Sequence, residues 1–357
     1  MTIVQTYHTL IERIKQLLPK ERITRLQNMA WLQSGILQSR SVQLNRIANK
    51  IPGFVQKLSK VRRLARFLDN DQVCVRPWYR STAVALLVAA ANSGQVIRLL
   101  IDATKVGNGH QLLMVSLAYR RRALPLVWTW VRCSRGHSAG WVQAALLRYV
   151  HHLMPATAQV VVIGDSEFTP LQSVLADWQW YYVLRQKGSH LVQLSPAADW
   201  QRCDTLVTSP GQRRWFTALC LTQQHQHRCN FLALWQRGEQ EPWLLATNLP
   251  DARQTRRHYT RRMWTEEMFG DFKAHGFDLE ASHLQHFLRL SRLTLAVALL
   301  YVWVVAFGSY TIKLGRRYLV DRHDRRDLSI FRIGLDMLEW SFGNALSVSI
   351  RSIPYFT

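Results

Sequence analysis

Residues 251–275, DARQTRRHYTRRMWTEEMFGDFKAH, are the stretch on which the reading of the fold turns. They follow an apolar, strand-like run, PWLLATNLP at residues 242–250, and Pro250 stands where a proline closes a loop or opens a helix. Tyr259, Arg262, Glu266 and Lys273 are separated by three, four and seven positions, a spacing that sets all four on one face of an α-helix. A carboxylate flanked on its own face by an arginine, a lysine and a phenol is an odd choice for a core stripe. It fits one metal ligand set among groups that grip phosphate. The plain alternative is a solvated, arginine-rich helix with ion pairs such as Arg262 with Glu266. The helix alone does not choose between the two.

The 357 residues suffice for one large domain or two to three smaller ones, and 48% hydrophobic residues can pack a core. The formal net charge of +23 and the sequence pI of 10.6 stand out. A surplus this large on a globular composition favours a polyanionic partner, weighed against charge kept for solubility or for an anionic membrane surface. Residues 1–19 lack the basic start and continuous apolar stretch of a signal peptide. The longest apolar run, residues 293–308, falls short of the roughly twenty residues that span a bilayer and reads as a buried helix. Cys74, Cys133, Cys203, Cys220 and Cys229 form no C-x-x-C pair, which suggests reduced thiols in the cytosol. His225, His227 and Cys229 look like part of a zinc site, but no second pair matches them.

Five regions follow from the pattern along the chain. Residues 1–92 are helix-periodic and basic, suited to a small DNA-binding module or to a packing arm. Residues 93–186 turn α/β: strands at 95–104, 111–119 and 124–132, a helix at 138–153, a strand at 159–164, a helix at 169–180 and a strand at 181–185. That order is compatible with a mixed sheet. Residues 187–240 alternate in short segments broken by polar turns and read as an all-β insertion. Residues 241–282 return to the sheet and carry the opening helix, and residues 283–357 are helical.

Three acids stand where such a fold would bring them together. Asp102 ends the first strand in LLIDAT, Asp165 ends the fourth in VVIGDSEF, and Glu266 lies on the returning helix. Carboxylates so placed can hold two divalent cations about 4 Å apart for phosphodiester chemistry. Oxygen-only ligands favour Mg2+ or Mn2+ over zinc. Taken singly, each aspartate is as readily a turn or helix cap. Glu167 and Glu267 are the nearby competitors, Glu267 pointing about 100° around the helix from Glu266.

With these residues in place, the chain resembles the DDE transposases of the insertion-sequence-four family. Their signature is Tyr, two residues, Arg, three residues, Glu, six residues, Lys, and Tyr259, Arg262, Glu266 and Lys273 match every spacing. The resemblance extends to Ile101-Asp102-Ala103-Thr104, to Gly164-Asp165-Ser166-Glu167-Phe168 and to SIFRIG at residues 329–334, and so covers residues 96–335. It implies a ribonuclease-H-like catalytic core interrupted by the β-strand insertion and flanked by the two helical regions. It also implies Asp102, Asp165 and Glu266 as ligands of two Mg2+ or Mn2+ ions. Arg262 and Lys273 would hold DNA phosphates, Tyr259 would bond a phosphate oxygen, and Trp243 would stack on a flipped base, with a simple core tryptophan as the alternative.

The activity so implied is cut-and-paste transposition through a nick, a hairpin and strand transfer, by a dimer bridging two ends of double-stranded DNA. The partners would be the terminal inverted repeats and target DNA, with no membrane, in a bacterial cytoplasm. One rival is a two-metal nuclease that cuts without strand transfer. Another is a domesticated DNA-binding protein with no activity. The N-terminal region shows no end-recognition motif, and little chain follows SIFRIG for a dedicated dimerisation domain.

Overall fold

Five helices precede the first strand: α1 (Ile3–Leu17), α2 (Ile23–Ser39), α3 (Leu44–Lys50), α4 (Lys57–Asp69) and α5 (Val75–Asn92). The computed structural model describes residues 3–107, 109–132, 138–224, 226–348 and 351–356. Pro19 separates α1 from α2, and the Ile51-Pro52-Gly53 turn separates α3 from α4. α5 accommodates Pro77 in its first turn, where the proline lacks only an N–H that would have no helical partner.

The sheet then begins with a meander of β1 (Ile97–Lys105), β2 (His110–Tyr119) and β3 (Arg122–Arg132). Arg120 and Arg121, at φ of 42° and 64°, make the tight turn from β2 to β3; a two-residue hairpin needs both in the left-handed region. After α6 (Gly140–Leu153) come β4 (Val160–Gly164), α7 (Gln172–Asp177) and β5 (Tyr181–Arg185). Then follow β6 (Leu191–Gln193), β7 (Gln201–Arg202), β8 (Arg213–Leu221), β9 (His227–Leu234) and β10 (Trp243–Thr247).

All ten strands join one sheet in the order β3-β2-β1-β4-β5-β10-β9-β8-β6-β7. β1, β4 and β5 run parallel, as their apolar, doubly covered character requires, while β2, β3 and β10 run antiparallel to their neighbours. Residues 187–240 therefore continue the main sheet instead of building a second one. They also bury a small core of their own, in which Leu244 and Ala246 of β10 join Val192, Leu219 and Phe231, whereas Leu245 faces the main core. The period-two alternation of β10 thus holds two cores together.

α8 (Ala252–Tyr259), α9 (Met263–Phe272), α10 (Phe287–Lys313) and α11 (Ile330–Gly343) complete the chain. α10 is long and apolar enough to cross a membrane, longer than its apolar run suggests, yet 89% of its most apolar window is buried inside the protein. It is the central core helix. Arg292, buried on α10, donates to the carbonyls of Leu68 at 2.8 Å and Val73 at 3.1 Å, and Gln33 of α2 donates to the Ala296 carbonyl. These bonds join the N-terminal helices to the main core. α11 crosses α10 at two glycines: a Cβ on Gly308 would lie 2.1 Å from the Ile330 carbonyl oxygen, and one on Gly334 would lie 2.1 Å from that of Val304. The glycine of SIFRIG is thus a close-packing residue.

Candidate active site

β1 and β4 pair with Ile101 beside Gly164, so Asp102 and Asp165 stand at equivalent places on adjacent parallel strands. Carboxyl ends of parallel strands are where open α/β sheets place their ligands. Asp165 follows the end of β4, as expected. Asp102 does not end β1, which runs three residues further because β2 keeps pairing with it as far as Lys105.

Each aspartate fixes itself with one oxygen and presents the other. Asp102 Oδ1 accepts from the Ala103 N–H at 2.8 Å, and Asp165 Oδ1 accepts from the Ser166 N–H at 2.8 Å, capping the short helical turn Ser166–Leu171. The cap reading of Asp165 is therefore correct for Oδ1. Its other oxygen is 3.9 Å from Arg262, whose same nitrogen is 3.3 Å from Asp102 Oδ2. The second guanidinium nitrogen of Arg262 is 2.6 Å from Glu266 Oε1. One guanidinium thus reaches all three acids.

Burial pushes the Asp102 carboxyl up to about 7, with Arg262 and the Ala103 N–H opposing and the Asp165 and Glu266 charges adding to the rise. The Arg262 guanidinium, though itself buried, is held more firmly protonated by Asp102 and then by the other groups around it. Glu167 is likewise raised to about 7, by burial and by Asp165 beside it.

The stretch 251–275 is not one continuous helix. Asp251 caps α8 by accepting from the Arg253 and Gln254 N–H groups, and the tighter turn Thr260–Arg262 separates α8 from α9. Tyr259 closes α8, Arg262 ends the turn, Glu266 sits in the first turn of α9, and Lys273 lies just past its end. The change of helical pitch sets Arg262 facing β1 while Tyr259 sinks into the core at 3% exposure. Among the described residues the Tyr259 hydroxyl has no hydrogen-bond partner, and burial raises it to about 12. Lys273 donates to the Lys105 carbonyl at 2.5 Å and pairs with Glu280 at 3.1 Å, which ties it to the end of β1.

Trp243, half-buried, meets Tyr259 edge-on, with ring centroids 5.0 Å apart at 72°. Its strand neighbour Leu244 instead lines a cleft of about 460 Å³ that begins at Asp165 and passes Arg185 and Lys187. Glu267, the competitor on the helix, pairs with Arg122 of β3 at 3.0 Å. The same arginine pairs with buried Asp271 at 2.7 Å, and Tyr301 of α10 donates to that carboxylate at 3.4 Å. This clamp was missed in the sequence, although Glu267 and Asp271 four residues apart on one face of the helix were a signal for it.

Among the described residues no three acidic, histidine or cysteine side chains already form a metal cage. The four described cysteines are free, and His225 of the zinc-like fragment lies outside the described residues. His227 meets the Tyr182 hydroxyl at 3.1 Å.

A family model described as the transposase DDE domain matches residues 97–303. Among solved structures, the chain is similar to a piggyBac transposase synaptic complex with hairpin DNA. That match has 10% identity and a TM-score of 0.41, and covers 93% of this chain and 77% of that one. No curated protein matches the chain.

Proposed function

The chain belongs to the transposase DDE domain family, and on that premise we propose that it is an insertion-sequence transposase working through Asp102, Asp165 and Glu266. The observation that carries the proposal is the convergence of these three acids on the Arg262 guanidinium. An ordinary i,i+4 pair would need Glu266 alone. The order β3-β2-β1-β4-β5 with three parallel strands supports a ribonuclease-H-like core, and β6 to β9, entering between β5 and β10, support a β insertion. The signature spacing of Tyr259, Arg262, Glu266 and Lys273 supports the insertion-sequence-four subgroup.

The acids suit divalent cations. All donors are carboxylate oxygens, and three negative charges against the one positive charge of Arg262 leave a formal excess of two. Asp102, Asp165 and Glu266 are the residues that would hold two Mg2+ or Mn2+ ions, which in such sites activate water and stabilise the leaving oxygen. The self-bonded Oδ1 atoms keep both aspartates oriented. Arg262 holds the acid trio together, and in the complex it would turn part of its fork to a DNA phosphate. Lys273 anchors the strand that bears Asp102, and Tyr259 and Trp243 form the aromatic wall beside it.

The reaction we propose is cut-and-paste transposition. Water nicks the transposon end, the freed 3′-hydroxyl attacks the opposite strand to make a hairpin, water opens it, and the 3′-hydroxyls join target DNA. Trp243 would stack on the base displaced at the hairpin. We place this work in the cytoplasm, in a dimer that bridges two terminal repeats. The test is divalent-metal-dependent cleavage of a linear duplex carrying the DNA that flanks the gene. Wild type should give a nick and then a hairpin, Glu266→Gln neither, and Trp243→Ala the nick alone. Nicks without hairpin or joining would favour a plain nuclease. Equal DNA binding by wild type and Glu266→Gln, with no cleavage by either, would overturn the catalytic reading.

A further inference from the structure

A recess of about 760 Å³ lies where the end of α10 meets α11 and the C-terminal segment, and it shares no residue with the acid site. Its walls carry Lys313, Arg316 and Arg351 together with Tyr310, Trp340 and Tyr355, and no Asp or Glu among the described residues. Among the described residues none of these three cations pairs with an acid, whereas Arg317 beside them pairs with Asp321 one turn away.

Rings hold two of these cations instead. Lys313 Nζ sits 3.5 Å from the centre of the Tyr355 ring, and the Arg351 guanidinium sits 4.1 Å from that of Tyr310. The two tyrosine rings are 6.0 Å apart. Tyr355 is itself fixed: its N–H donates to Ser309 Oγ at 3.0 Å, and its carbonyl accepts from the Tyr119 hydroxyl at 2.6 Å. Two of the positive charges are thus positioned in advance, and among the described residues their attraction for an anion is not spent on a carboxylate.

We propose that this recess binds an unpaired segment of DNA, with phosphates on Lys313, Arg316 and Arg351 and a base against the aromatic and apolar wall. The inference rests on the reading of the chain as a DNA-processing enzyme. Interleaved cations and aromatic rings match a single strand, which offers both phosphates and free base faces. A duplex hides its base faces and presents a convex backbone to the protein, so it gains little from a recess. The volume accommodates a nucleotide, the size class of small-molecule sites.

The test uses fluorescence anisotropy without divalent ions, with an oligothymidylate of about 16 nucleotides, the upper site size of single-strand-binding folds, and a duplex of equal length. For Lys313→Gln/Arg351→Gln the preference for single strand over duplex should fall by about tenfold, the scale of one lost stacking or charged contact. Tyr310→Phe should keep the preference and Tyr310→Ala should lose it, both with melting temperatures near wild type. Equal weakening on single strand and duplex overturns the proposal, since a general field of positive charge would do that. Thymidine monophosphate competing as well as the oligonucleotide also overturns it, in favour of a mononucleotide site. Failure of metal-dependent cleavage with this single-strand preference intact counts against the acid-site reading and leaves the recess assigned.

Discussion

Arg122 on β3 and Asp271 on α9, both buried, form an ion pair at 2.7 Å that fixes the helix bearing Glu266 to the sheet bearing Asp102. Burial raises the Asp271 carboxyl to about 7 despite the guanidinium beside it. Removing Arg122 alone leaves a buried carboxyl without its counter-ion, and Arg122→Met should cost about 3–5 kcal/mol at alkaline pH, where that carboxyl is charged. The sign with pH follows: without the guanidinium the Asp271 carboxyl holds its proton to higher pH than the wild-type value of about 7, so the cost should shrink as pH falls from alkaline values towards about 7 and stay level below it. Arg122→Met/Asp271→Leu should recover most of the loss. Urea unfolding of wild type and the two variants, near pH 7 and well above it, checks this; a cost that does not change with pH would mean that Asp271 stays charged.

The crossing of α10 and α11 gives a second prediction. An alanine at position 334 would put its Cβ 2.1 Å from the Val304 carbonyl, a backbone atom that cannot swing aside. Gly334→Ala should therefore force the helices apart and destabilise the protein by about 1–3 kcal/mol or more, the scale of overpacking in a core. Gly343→Ala on the same helix meets nothing within 4 Å and should be near neutral. Thermal melting of the two variants separates packing from helix propensity, which would act on both.

His258 supplies a pH dependence of folding. It is buried at 8% exposure and accepts from Arg98 Nε through Nδ1 at 3.3 Å, and burial and the nearby arginines push it down to about 4 from 6.5. The native state therefore keeps it neutral while the unfolded chain takes up a proton. Its contribution is complete above about pH 6.5 and is lost as pH falls towards 4. At about 1.4 kcal/mol per unit, wild type should lose about 2 kcal/mol between pH 6.5 and 5 from this residue. His258→Gln, which can still accept from Arg98, should lose correspondingly less over the same window in denaturant titrations.

Much of this arrangement was legible in the chain, and the exceptions have a common cause. Asp102 and Asp165 stood out because each follows an apolar run that only a central strand can use, and Tyr181–Arg185 and Trp243–Thr247 were bounded correctly by flanking polar turns. The break at Thr260–Arg262 was not legible, since no proline or glycine marks it; packing of Tyr259 into the core while Arg262 meets β1 imposes it. Arg122 falls outside the strand expected at 124–132, and nothing local marks it, because its partners lie on α9, more than a hundred positions away. The continuation of the sheet through β9 and β8 was hidden for the same reason: local alternation reveals a strand but not its neighbour.

Arg262 tests the charge balance of the acid site without relying on turnover. Its guanidinium is the one cation within ion-pair distance of all three acids among the described residues, so Arg262→Gln leaves Asp102, Asp165 and Glu266 facing one another. Like charges at close range disfavour the folded state, and the variant should melt below wild type in chelator. Added Mn2+ should then raise its melting temperature more than that of wild type, because a cation bound only by the folded state stabilises by mass action and here also replaces the missing charge. Arg262→Gln/Glu266→Gln should melt above Arg262→Gln in chelator and respond less to Mn2+. A single variant that melts like wild type and ignores the ion would mean that the three carboxylates do not act as one charged site, and the metal assignment would fall with it.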